Sequence, residues 1–207
     1  MSEITPSQTV GPFFAYGLTP KGRAQWDPNG TYSWKETVGD NLMTPDASGT
    51  KIRIEGRITD GEGTPCPDAF LEIWQADAGG KYDHPDDTQD KKPDPRFRGF
   101  GRASADKDGV YRFTTIMPGR VPGPGNSLQA PHINVSVFAR GLLKQLVTRI
   151  YFADHAEANE VDPVLSKIDD PAVRKTIVAA KTNGTGIPTY RFDVVLQGKG
   201  ETAFFEV

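Results

Sequence analysis

Three histidines, His84, His132 and His155, are the whole imidazole supply of this sequence. They lie far apart, and no two are spaced to share a metal ion. The most informative is His132, in Ala130-Pro131-His132-Ile133-Asn134-Val135. On a strand, His132, Asn134 and Ser136 share one face, while Ile133, Val135 and Val137 share the other. A second histidine two residues on would make a ligand pair, but that position is Asn134, and an amide is a poor ligand for a transition metal. Tyrosine phenolates would suit a hard ferric ion. Around His132, however, the flanking loops offer Tyr82, and residues 117–131 contain no tyrosine. Arg140 and Arg149 have the planar fork that holds a carboxylate bidentately, and the same residues serve equally well in surface or interface ion pairs. By residue type alone, His132 reads as a structural or interface histidine. No Gly-rich phosphate loop, nucleophile elbow or His-Glu zinc motif is present. Cys66 is the single cysteine, so neither an intrachain disulfide nor a Cys-rich zinc site is available.

The elements that must carry these residues read as β. The 22 glycines and 17 prolines in 207 residues would break helices and suit a turn-rich sheet protein. Period-two or continuous apolar runs predict strands at 51–58, 69–76, 110–116, 133–139, 145–152 and 189–196, with a short tail strand at 202–206. Residues 77–108 and 117–131 read as loops. Asp170 as N-cap and Pro171 at the first helical position predict a helix running through Ala172–Ala180, with a second short one near 162–168. The fold class expected is all-β: a β-sandwich spanning 51–207, one or two short helices, and an irregular N-terminal arm over 1–50. That arm is too long for an ordinary loop and too aromatic for a solvated linker. It is expected to pack on its own domain or on a partner chain.

Charge and hydropathy bound the partners. With 24 basic and 27 acidic residues the net charge is −3, which gives no electrostatic case for nucleic acid or an anionic membrane. No apolar run approaches the ~20 residues of a membrane helix, and the start shows no secretory pattern, so a cytoplasmic location is expected.

Seven stretches then carry a resemblance: TPSQTVGPFF (5–14), LEIWQADAGGKY (71–82), FRGFGR (97–102), DGVYRFTTIMPG (108–119), APHINVSVFARG (130–141), TRIYF (148–152) and YRFDVVLQGKGETAFF (190–205). In this order they resemble the intradiol ring-cleaving dioxygenases, whose fold is a β-sandwich. Among these they resemble the α-type chain of members built from two homologous chains. The resemblance implies cleavage of the ortho-diol protocatechuate by O₂, with Fe(III) bound by two tyrosines and two histidines of the partner β chain in a larger oligomer. At the matching ligand positions this sequence has Gln89, Val121, His132 and Asn134, and Gln129 replaces an arginine. With one imidazole left, this chain is expected to bind no metal and to contribute no catalytic residue of its own. The same resemblance assigns Thr9, Gly11, Pro12 and Arg140 to the wall of the partner's substrate pocket. Two other readings are a homomeric catechol-type dioxygenase and a non-catalytic β-sandwich binding module. Gln89, Val121 and Asn134 count against the first, and the N-terminal match counts against the second.

Overall fold

A computed structural model describes Leu18, residues 38–182 and residues 185–206. Nine strands form it: β1 (Lys51–Thr59), β2 (Phe70–Trp74), β3 (Phe100–Ser104), β4 (Val110–Ile116), β5 (His132–Phe138), β6 (Leu146–Phe152), β7 (Val178–Lys181), β8 (Thr189–Arg191) and β9 (Val194–Val195). Their order is β3-β2-β5-β6-β7-β8-β1-β4, with β9 on β1. The first five strands make one layer. The path turns at β7 into the second layer, and the edge strands β3 and β4 come back into contact, so the sandwich is nearly closed.

Side-chain alternation explains the layers. Ile52, Ile54 and Ile58 of β1 and Ile133, Val135 and Val137 of β5 are buried in one core that also takes Tyr111, Phe113, Ile150 and Phe152. Strand β1 pairs antiparallel with β4, and β5 pairs antiparallel with both β2 and β6. The pairing β6–β7 is parallel.

The structure departs from the sequence expectations in six places. The strand expected over 189–196 is broken into β8 and β9, and the tail expected as a strand at 202–206 makes the single bridge Phe205–Val147 instead. Strand β3 lies inside the stretch 77–108 that reads as a loop. Its Gly101 and Arg102 hide the strand pattern, and its pairing with β2 supplies what propensity does not. The helix predicted through Ala180 stops early: α2 (Pro171–Lys175) has the predicted Asp170 cap, whose carboxylate accepts from Ala172 N at 2.8 Å. Residues 178–181 instead fill the slot beside β6, where Ala179 is fully buried. The segment near 162–168 is a 3₁₀ turn (Leu165–Lys167), and an unpredicted helix α1 (Ala156–Glu160) precedes it. Finally, Leu42, Met43 and Ala47 belong to this chain's own core, so residues 41–50 are part of the domain rather than of an arm. Leu42 N–H bonds Thr114 O, and Leu42 O accepts from Arg98 N. Among the described residues no helix is long and apolar enough to cross a membrane.

Candidate functional site

Two loops leave the same end of the sandwich and border an open cleft of about 370 Å³. One connects β2 to β3 and the other connects β4 to β5. Asp77 organises the first: its carboxylate accepts from Gly79 N, Lys81 N and Asp94 N, and its carbonyl from Gly80 N. The same carbonyl accepts from Gly119 N at 2.8 Å, which ties the second loop to the first. Trp74, Tyr82, Asp87, Gln89, Val121 and Gln129 are among the residues lining the cavity.

The positions singled out in the sequence converge here. Gln89 sits on the rim of the β2–β3 loop. Its side-chain amide donates to Gly80 O at 2.9 Å and to Asp87 Oδ2 at 3.1 Å. Burial pushes Asp87 up, but the amides of Tyr82 and Gln89, the Lys81 ammonium and the Gln89 side chain outweigh it and hold the carboxyl down at about 2. Val121 is buried and offers no donor atom. Asn134 reaches two residues that line the cavity, donating to Trp74 O at 3.3 Å and to the Tyr82 hydroxyl at 3.4 Å. Tyr82 stacks on Trp74 with ring centroids 5.7 Å apart. Burial raises its phenol pKa against the opposing pull of Asn134 and Arg149.

His132 lies behind this wall and is 3% exposed. Its Nδ1 is 2.8 Å from Ala130 O, and its ring leans on Tyr151. Burial first, and the Arg149 guanidinium second, push the imidazole down to about 4. Arg149 donates to Gln129 Oε1 at 2.8 Å and to the Tyr151 hydroxyl at 3.3 Å. Tyr151 in turn donates to Asp162 Oδ1 at 3.0 Å. Sequence reasoning missed Asp162. It is fully buried and also accepts from the amides of Ala130, Val164 and Leu165. The signal was the Asp162-Pro163 turn, since an aspartate capping amides two and three residues on is a common loop device.

Arg140 does not join this group. It stands past the other end of β5, about 25 Å along the strand from His132. It is largely exposed and pairs with Asp68 at 2.9 Å. Thr9, Gly11 and Pro12 lie outside the described residues.

The chain is similar to known proteins. A family model described as "Dioxygenase" matches residues 30–198. The protocatechuate 3,4-dioxygenase alpha chain of Pseudomonas putida is 39% identical over 203 residues, covering 98% of this chain and 96% of its own. The chain belongs to the intradiol dioxygenase family. Another family member, the protocatechuate 3,4-dioxygenase beta chain of Burkholderia cepacia, is 35% identical over 167 residues, covering 74% of this chain and 67% of its own. The 3-chlorocatechol 1,2-dioxygenase structure from Rhodococcus opacus superposes with a TM-score of 0.59 at 18% identity, over 87% of this chain and 79% of that one, which shows a shared fold.

The intradiol family implies Fe(III). The residues at the matched positions here do not fit it. One imidazole, two amides and a valine are a weak donor set for ferric iron. Both amides are held by their NH₂ groups, which donate to Gly80 O and Trp74 O, and Nδ1 of the imidazole meets a main-chain carbonyl. Among the described residues no three His, Cys, Asp or Glu side chains gather as a metal site.

Proposed function

We propose that this chain is the α subunit of a protocatechuate 3,4-dioxygenase, which works beside a homologous β chain. The β chain holds the ferric ion, whose Lewis acidity lowers the pKa of a bound diol. This chain supplies pocket wall and assembly surface for intradiol cleavage of protocatechuate by O₂ to 3-carboxy-cis,cis-muconate. The carrying observation is the site itself. The two loops and β5 bring Gln89, Val121 and the Asn134–Tyr82 contact to one cleft, and in this reading Gln89, Val121 and Asn134 replace three of the four iron ligands. The end-to-end match to an α chain supports the same reading, and so does the shorter match to a β chain.

In this reading Thr9, Gly11 and Pro12 line the β chain's substrate pocket, and Arg140 lies near it. Thr9 offers a hydroxyl, Gly11 permits close backbone approach, and Pro12 fixes φ. Arg140 adds positive charge toward the anionic ring carboxylate, and its distance from this chain's own cavity suits a role across an interface. The test is steady-state kinetics of the assembled enzyme carrying Thr9→Ala, Pro12→Ala or Arg140→Ala, with iron measured on the same samples. Turnover falls by about 10- to 10²-fold, because misplacing a substrate by 1 Å costs that much, while iron stays constant. Full activity in all three variants overturns the pocket-wall role. Joint loss of activity and iron assigns the segment to assembly.

A further inference from the structure

Residue 102 meets the N-terminal part of the chain twice. The Arg102 main-chain N–H donates to Gly39 O at 2.9 Å. Its Nη1 donates to Leu18 O at 2.8 Å. Two points 21 residues apart in sequence therefore come together on one residue of β3. The rest of the guanidinium is braced. Nε lies 2.8 Å from Glu72 Oε1, and Nη2 bonds the same oxygen. Glu72 is the cross-strand neighbour of Arg102 in the β2–β3 register. The guanidinium carbon also lies 5.8 Å from the Phe100 ring centroid. The two side chains are only 15% and 22% exposed.

An ion pair this buried is weak evidence for stability, since desolvation offsets most of its attraction. Its geometry does something else. Glu72 fixes one edge of a rigid planar fork and leaves the other edge aimed at a carbonyl from a distant part of the chain. A contact to a main-chain carbonyl sets where the backbone passes, whatever side chain it carries.

We propose that Arg102, braced by Glu72, anchors the N-terminal segment at Leu18, and so is a positioning residue for the pocket that Thr9–Pro12 serves. The second half of this inference rests on the function proposed above. Tether length gives the size of the effect. From Leu18, six residues lead to Pro12, a reach of about 20 Å at full extension; from Gly39, 27 residues lead there, a reach of about 90 Å. Effective concentration falls as roughly the −3/2 power of tether length, so losing the anchor dilutes the segment at its target about tenfold.

The experiment uses the assembled two-chain enzyme with Arg102→Gln and Arg102→Lys. Lysine keeps a charge beside Glu72 but lacks a fork to reach Leu18 O at the same time, and it serves if the glutamine variant fails to assemble. Hydrogen exchange of residues 1–17 accelerates about tenfold in both variants, with the sheet unchanged. The KM for protocatechuate rises by a similar factor, kcat changes less, and iron is unaltered. Exchange of residues 1–17 at the wild-type rate in both variants overturns the anchor. Faster exchange with an unchanged KM upholds the anchor and counts against the pocket-wall reading, and a wild-type KM in Pro12→Ala then identifies that reading as the one that fails.

Discussion

His132 shows how the surroundings of one residue decide its chemistry. The imidazole titrates near 4 in the folded chain, against about 6.5 for a free histidine. The unfolded chain therefore takes up a proton between these values and the folded chain does not. Stability linked to His132 is fully present above about pH 6.5 and is lost as pH falls through 4, about 3 kcal/mol in all. Urea unfolding of wild type and His132→Gln at pH 7 and pH 4.5 measures this. The wild type loses more than the variant on acidification, and equal losses contradict the assignment. Asn134→His adds a second imidazole on the same strand face but no phenolate. Metal analysis of that variant, expressed as a single chain, finds background iron; a stable ferric site would contradict the donor count. The spacing of His132 and Asn134 on one face was legible in the sequence because a strand fixes it. The Asp162 network was not, since its four donors come from three separate segments.

Elements were legible where the period-two pattern was clean. Strands β1 and β4 stand where Ile52, Ile54 and Ile58, and the Val110–Ile116 run, predict them. Strand β3 and the early end of α2 depend on tertiary partners that no local window contains. The junction of the two site loops is of the same kind. At Gly80, φ is +72°, and a Cβ there would stand 2.0 Å from Arg120 O. Gly80→Ala must therefore part the loops that carry Gln89 and Val121. Gly125, at φ +62° with open space around it, isolates the backbone cost. Gly125→Ala costs about 1–2 kcal/mol, and Gly80→Ala costs about 2 kcal/mol more, as expected for added strain in a tight site. Urea midpoints of the two variants compare them, and equal losses would mean that the loop junction is soft.

At the scale of the molecule, the sandwich and its family were legible from ordered motifs along most of the chain. The boundary of the arm was not. Composition alone makes residues 41–50 look like the rest of a Pro-rich stretch, whereas Leu42 is fully buried in the sandwich core. The division of labour between two homologous chains is also a property of the whole. In the function proposed above the fold is retained, one copy of the site lacks its ligands, and the chain's remaining contributions face outward. The most direct test of that claim is iron quantified per chain in this protein purified alone and in complex with its β partner. The account predicts background iron in the lone chain and about one iron per αβ pair in the complex. Near-stoichiometric iron in the lone chain would contradict it.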